Sequence, residues 1–105
     1  MRIEKNHQNK TVTHLSARYF KAGAIVFTKK VLSELDLSKG FCYIDVENDK
    51  VVFTPTEDEE QGFRITFCNY GFRICCKALG SYIPEKKEFS VHIGADGSFW
   101  IPREE

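Results

Sequence analysis

The sequence lacks the features that define several common protein classes. No apolar stretch approaches the roughly 18 residues that a transmembrane helix needs, and residues 1–11 lack the apolar core of a secretory signal. We therefore expect no membrane association and a cytoplasmic location. Cysteines stay reduced in that compartment, so we expect four free thiols. They are Cys42, Cys68, Cys75 and Cys76.

Metal-binding and catalytic motifs are also missing. The chain has no Cys-x-x-Cys or His-x-x-His pair, the spacings typical of zinc sites. Cys75 and Cys76 are adjacent, so in a strand their side chains would point to opposite faces, and we interpret the cysteines as small core residues. The residues leave open a Cys42–His92 or Cys75–His92 nucleophilic pair, which no spacing requires. We predict no metal, no cofactor, no small-molecule substrate and no enzymatic activity.

Net charge is zero, but it is unevenly distributed along the chain. Residues 1–30 hold seven bases and one acid, a net charge of +6. Residues 31–62 hold two bases and nine acids, a net charge of −7, and residues 63–105 carry +1. Either a basic surface near the N-terminus meets a polyanion, or solvated faces differ in charge without a functional reason.

An internal repeat organises most of the sequence. With an offset of 48 residues, residues 15–57 align with 63–105 without a gap, and six of the 43 aligned pairs are identical. Apolar residues and turns keep their spacing, which indicates two copies of one structural unit. The identical pairs are Gly23/Gly71, Lys29/Lys77, Ser33/Ser81, Lys39/Lys87, Phe41/Phe89 and Glu57/Glu105, and apolar pairs include Val26/Ile74 and Val31/Leu79.

Each unit has the pattern strand, strand, short helix, strand, strand. In the first unit Thr28 is expected to cap the helix and Gly40 to end it. In the second unit Asp96-Gly97 favours a type I′ hairpin turn. The predicted segments are strands 15–19, 24–27, 41–46 and 51–54 around helix 29–37, then strands 63–68, 72–75, 89–93 and 99–101 around a weaker helix 77–83.

These patterns predict a mainly β protein with short helices. We expect a polar tail over residues 1–13 and one compact domain over 14–105, with an acidic linker, 57–61, between the units. One unit is too small to bury its own apolar faces. The two β-β-α-β-β units are therefore expected to form an intramolecular pseudo-dimer.

A family resemblance supports this arrangement. The run from Lys21 to Gly40, followed by a strand, a turn and the segment 50–55, resembles the AbrB/SpoVT/MazE swapped-hairpin domain, and tandem copies in one chain resemble the MraZ arrangement. The resemblance implies two interlocked units and binding to duplex DNA. The chain departs from the family where Arg commonly follows the turn glycine, because Ala24 and Phe72 stand there.

DNA binding requires a cluster of bases that contact phosphates. The alternative interpretation is that the bases merely solvate strand and helix edges. The sequence pI is 6.8, whereas DNA-binding domains typically have a pI above about 9. Aromatic residues could also stack on unpaired bases, although their period-two spacing is explained more simply by a core position. The candidate DNA contacts are Arg18, Lys21, Lys29, Lys30, Arg73 and Lys77, and the aromatic residues in question are Phe63, Phe67, Tyr70 and Phe72.

Two functions follow as hypotheses. The first is a non-enzymatic, AbrB-like, DNA-binding transcriptional regulator. The second is a protein-interaction or scaffold module that keeps the fold without binding DNA. The corresponding partners are duplex DNA and another protein.

Overall fold

The structure is mainly β, as the sequence predicts. The computed structural model describes residues 15–20, 22–84 and 88–103; the predicted tail, 1–13, and the candidate contact Lys21 lie outside them. Within those ranges there are nine strands, one α-helix and one 3₁₀ helix. They are β1 (Ser16–Phe20), β2 (Ala24–Thr28), α1 (Lys29–Ser33), β3 (Phe41–Val46), β4 (Lys50–Thr56), β5 (Phe63–Cys68), β6 (Gly71–Cys75), the 3₁₀ helix (Lys77–Ser81), β7 (Glu88–Ser90), β8 (His92–Ile93) and β9 (Phe99–Pro102).

Helix α1 is shorter than the predicted helix 29–37. The Asp36 carboxylate accepts a hydrogen bond from Ser38 N at 3.1 Å, and this local turn competes with helical hydrogen bonding. Thr28 occupies the predicted N-cap position, but its side chain makes no capping hydrogen bond. The predicted cap is therefore correct in position and wrong in mechanism.

The last hairpin also differs from its prediction. The predicted strand 89–93 is interrupted at Val91, because the chain changes partners there. Val91 N still donates to Leu15 O beside β1, whereas His92 and Ile93 pair with β9. The predicted type I′ turn is replaced by a five-residue loop that Gly94 N closes by donating to Ser98 O at 2.8 Å. The Asp96 carboxylate accepts hydrogen bonds from the backbone and hydroxyl of Ser98, which stabilises this longer loop.

The strands form one antiparallel sheet that nearly closes on itself. Its order is β7-β1-β2-β6-β5-β3-β4-β9-β8. Strands β7 and β8, at the two ends of this order, are separated in the chain by Val91 alone. The hairpins alternate between the halves of the chain: β1-β2 from the first, β6-β5 from the second, β3-β4 from the first and β9-β8 from the second. Each hairpin of the first half therefore lies between strands of the second.

Strand register corrects the gapless alignment of the two halves. Strands β2 and β6 pair antiparallel, with Ile25 opposite Ile74 on the core side. If a two-fold axis relates these strands, a core-facing residue of β2 must be equivalent to a core-facing residue of β6. An alignment that is wrong by one residue would instead pair a core-facing residue with an outward-facing one. The offset of 48 fails this test, since it places buried Ile25 on Arg73. An offset shorter by one residue places it on buried Phe72.

The offset between the two halves changes from 48 to 47 residues before β6 and returns to 48 after it. Two residues separate Cys68 from its partner Gly71, whereas three separate Phe20 from its partner Ala24. One extra residue, Cys76, then lies between β6 and the 3₁₀ helix. The predicted equivalences Gly23/Gly71 and Val26/Ile74 are therefore wrong. Lys29/Lys77 and Val31/Leu79 keep the offset of 48, because the two helices begin at Lys29 and Lys77 and both apolar residues are buried.

Four phenylalanines form the centre of the core. Phe27 and Phe72 pair across β2 and β6 with stacked rings 4.6 Å apart. Phe53 and Phe99 pair across β4 and β9 with stacked rings 5.1 Å apart. The two stacks meet edge to face, with Phe27 5.4 Å from Phe53 and 5.3 Å from Phe99. This cluster joins strands from both halves of the chain.

The acidic linker between the halves is ordered by Asp58. Its carboxylate accepts hydrogen bonds from Glu60 N and Gln61 N at 3.0 Å and from the Tyr43 hydroxyl at 2.8 Å. The hydrogen bond from Gln61, followed by that from Tyr43, lowers the pKa of Asp58 below its ordinary value of 3.8. The ionised carboxylate therefore holds the turn that leads into β5.

We expect Asp58 to make stability depend on pH. Because its pKa is lower in the folded state, its stabilising contribution is fully present above about pH 4 to 5 and disappears as the pH falls below 3.8, through the folded-state value. Asp58→Asn should flatten this part of the curve of unfolding free energy against pH. Urea unfolding between about pH 2 and 7 measures it, and an unchanged acid limb in the variant would contradict the assignment.

Candidate nucleic-acid interface

Charge is segregated by hairpin. Residues 16–33, which form β1, β2 and α1, contain no Asp or Glu, and neither do residues 63–81, which form β5, β6 and the 3₁₀ helix. We call these two segments the acid-free hairpins. They are neighbours in the sheet, joined by the pairing of β2 with β6. Their bases are Arg18, Lys21, Lys29, Lys30, Arg64, Arg73 and Lys77.

The other side of the molecule has the opposite charge. Residues 41–62, which form β3, β4 and the linker, carry seven acids and one base, Lys50. The sheet therefore has a basic half and an acidic half although the whole chain is neutral. This division follows the strand order and is not apparent from the charge of consecutive thirds of the sequence. The acids are Asp45, Glu47, Asp49, Glu57, Asp58, Glu59 and Glu60.

The structure brings two of the candidate arginines together. Arg18 pairs with Val26 across β1 and β2, and Val26 pairs with Arg73 across β2 and β6. All three alternate with core residues, so they lie in one row on the outer face. Two strand spacings separate the arginine backbones by about 10 Å.

The candidate lysines lie at the two ends of the β2–β6 pair. Lys29 follows Thr28, which pairs with Gly71, whereas Lys77 packs against Gly23 in the β1-β2 turn. A Cβ atom on Gly23 would come within 2.6 Å of Lys77 Cγ. The paired part of β2 alone separates the two ends by about 14 Å. The two lysines therefore flank the arginine row rather than joining it.

Lys30 differs from the other candidate bases. Its ammonium lies 3.9 Å from the Glu34 carboxylate, one helical turn further along the chain. Part of its charge is therefore neutralised locally, although an exposed pair of this kind contributes little to stability. Of the candidate bases, Lys30 is the one that the structure supports least as a phosphate contact.

Tyr70 positions Arg73. A hydrogen bond with the Tyr70 side chain raises the pKa of Arg73, and the electrostatic influence of Cys75 acts in the same direction. Arg73 therefore stays positively charged, and the Tyr70 side chain favours its charged form. Tyr70 itself is 52% exposed in the β5-β6 turn.

The sequence prediction that the aromatic residues face the core missed several exposed ones. The core interpretation is correct for Phe72, which is fully buried, but wrong for Phe67 and Tyr70, which are 54% and 52% exposed. Phe67 is uncovered because β3 pairs with β5 only at Phe63 and Arg64, near its other end. Phe20 on β1 is also 38% exposed, and the predicted strand 15–19 ended one residue before it.

The cysteines and His92 do not form a catalytic site. Cys75 is exposed and Cys76 is buried, which confirms that they point to opposite faces. Burial, with a smaller effect of Cys76, raises the pKa of Cys42 to about 12, so its thiol is unreactive. His92 is exposed, with its ring stacked 4.2 Å from that of Trp100. Cys42 is fully buried whereas His92 is exposed, and Cys75 lies on β6, which does not neighbour β8.

Other classes of site are not found among the residues that the structure covers. No group of three His, Cys, Asp or Glu residues there has the geometry to hold a metal ion. Neither of the two short helices in those ranges is long and apolar enough to cross a membrane.

A groove runs along the outer face of β1, at one edge of the arginine row. It is half-open and has a volume of about 520 Å³. Phe20 stands at one end and Tyr70 at the other, with Arg18 between them. We call it the β1 groove, and it is lined by Ser16, Ala17, Arg18, Phe20, Val26, Thr28, Tyr70 and Glu88.

Comparisons with known proteins do not assign the fold to a family. No protein-family model matches the sequence, and neither the curated proteins nor the solved structures yielded a match.

Proposed function

We propose that this protein is a non-enzymatic, AbrB-like transcriptional regulator that binds duplex DNA through the acid-free hairpins. The observation that carries the proposal is charge segregation: two neighbouring hairpins hold bases without a single acid, while residues 41–62 hold seven acids and one base. A surface of this kind attracts a polyanion even when the protein as a whole is neutral. The proposed location is the cytoplasm, which agrees with four free thiols.

We further infer that the two halves form a swapped-hairpin pseudo-dimer within one chain. The alternation of hairpins from the first and second halves supports this architecture. So does the central β2–β6 pair, which joins the equivalent strands of the two units. A two-fold arrangement would present Lys29 and Lys77 in similar positions at the two ends of the DNA-binding surface.

The contacts proposed are to phosphates rather than to base edges. Arg18 and Arg73 lie about 10 Å apart on the outer face, and a guanidinium binds a phosphate through two parallel hydrogen bonds. Lys29 and Lys77 add point charges at the ends of the surface. Four such contacts predict a slope of about −3.6 in a plot of log affinity against log salt concentration.

We expect Arg18→Ala/Arg73→Ala to make that slope shallower by about 1.8, because two phosphate contacts are lost. Fluorescence anisotropy with a labelled duplex, titrated at several salt concentrations, measures the slope. Lys39→Ala/Arg103→Ala removes the same charge outside the acid-free hairpins and should leave the slope nearly unchanged. Flat titrations with varied duplexes at about 50 mM salt would refute DNA binding.

A protein-interaction module remains the second proposal. The observation that favours it is the exposure of Phe20, Phe67 and Tyr70, since aromatic residues are enriched at protein interfaces. This function predicts a stoichiometric partner whose binding is lost in Phe67→Ser and depends little on salt. Steeply salt-dependent DNA binding that survives Phe67→Ser would favour the regulator instead.

A further inference from the structure

We propose that the β1 groove binds a free α-amino acid with a large apolar side chain. The groove joins an apolar floor to one cation, one carboxylate and one unpartnered buried hydroxyl. Each of these features matches one part of such a ligand. The groove has a volume of about 520 Å³, which is enough to hold an amino acid.

The apolar part of the groove fits the ligand side chain. Val26 lies on the outer face of β2, and the rings of Phe20 and Tyr70 are 38% and 52% exposed at the two ends. These surfaces lose contact with water when an aromatic or branched side chain covers them, which favours binding.

The charged part fits an amino-acid head group. Arg18 and Glu88 are direct register partners across β1 and β7, and both are exposed. In the parts of the chain that the structure describes, the only ion pair within 4.0 Å is Lys30–Glu34, so Arg18 and Glu88 do not neutralise each other. A ligand carboxylate can bind the Arg18 guanidinium through two hydrogen bonds while its ammonium binds the Glu88 carboxylate.

Thr28 supplies an independent observation. Its Oγ1 atom is buried and has no hydrogen-bond partner, although Thr28 lines the groove. It does not cap α1 either. A buried hydroxyl without a partner is unfavourable, and rotation of the Thr28 side chain toward the groove would let a ligand head group provide the missing donor or acceptor.

The ligand would act as an effector rather than as a substrate. Arg18 belongs both to the groove and to the proposed phosphate contacts, so an amino acid bound to it competes with DNA. This regulatory consequence rests on the proposed function, whereas binding of the amino acid does not.

Three probes isolate the contacts. L-phenylalanine carries both charges, 3-phenylpropionate lacks the ammonium, and 2-phenylethylamine lacks the carboxylate. Each is titrated into the full chain and followed by backbone amide shifts in NMR spectra. We expect L-phenylalanine to bind with a dissociation constant of about 1 mM or lower and each analogue to bind about tenfold more weakly. The largest shifts should fall on Arg18, Val26, Thr28 and Glu88.

Variants assign each contact to its residue. Arg18→Gln should abolish the preference for L-phenylalanine over 2-phenylethylamine, and Glu88→Gln the preference over 3-phenylpropionate. Thr28→Val keeps the side-chain shape and should weaken binding about fivefold while the variant remains folded by circular dichroism. Arg64→Gln, on the acid-free hairpins but outside the groove, is the control and should bind as the unmodified protein does.

The proposal is overturned if L-phenylalanine causes no shifts up to about 50 mM, or if the three probes bind equally well. A DNA titration with and without L-phenylalanine tests the competition separately. Amino-acid binding without any DNA binding would confirm the site and refute the proposed regulator. DNA binding without amino-acid binding would support the proposed regulator and refute the amino-acid site.

Discussion

Phe27→Ala is expected to lower the free energy of unfolding by about 3–5 kcal/mol. Phe27 is fully buried and its ring contacts those of Phe53, Phe72 and Phe99. Removing it leaves a cavity where strands from both halves of the chain meet. The neighbouring strands are fixed by hydrogen bonds on both sides, so they cannot collapse fully into that space.

Urea unfolding of the purified variant measures the loss, with equal slopes required for the comparison. Phe67→Ala is the matched control, because it removes the same side chain from a position that is 54% exposed. We expect the control to lose less than about 1 kcal/mol. Equal losses in the two variants would show that the phenylalanine cluster is not the centre of the core.

Gly71→Ala is the second substitution with a large expected effect, about 3 kcal/mol or more. Gly71 has φ +142, a conformation that residues with a side chain rarely adopt. A Cβ atom there would also overlap the carbonyl oxygen of Phe27 and the backbone of Thr28, neither of which can rotate away. The variant must therefore separate β6 from β2 at this point or change the turn.

Gly97→Ala distinguishes the two causes. Gly97 also has a positive φ, +91, but a Cβ atom there would meet nothing within 4 Å. Backbone strain alone predicts a loss of about 1 kcal/mol for this control. Thermal unfolding of both variants gives the comparison. If Gly71→Ala loses no more than Gly97→Ala, close packing of β6 on β2 does not govern the effect.

The sequence predicted the order of strands and helices because alternation and turn residues are local signals. The register of β2 was not predictable in the same way. Its run from Ala24 to Phe27 is continuously apolar, so period-two analysis cannot decide whether Val26 or Phe27 faces the core. Pairing with β6 decides it, and the gapless repeat alignment was wrong there for this reason.

The candidate bases were visible in the sequence, but their arrangement was not. Arg18 and Arg73 are separated by more than fifty residues and become neighbours only through the pairing of both strands with Val26. The β1 groove had no signal at all, because the free hydroxyl of Thr28 looked like an ordinary helix cap. Glu88 likewise became a candidate binding residue only because the structure pairs it with Arg18 across β1 and β7.

The alternation of hairpins also has a consequence for how the chain is made. While the ribosome releases the first half, both of its hairpins lack the neighbours that cover their edges, since those neighbours belong to the second half. Uncovered strand edges and long-range pairing favour slow folding and aggregation. Synthesis must therefore reach β9 before the first half can acquire a stable structure. A chain that ends at the linker contains two hairpins without the strands that pair with their edges.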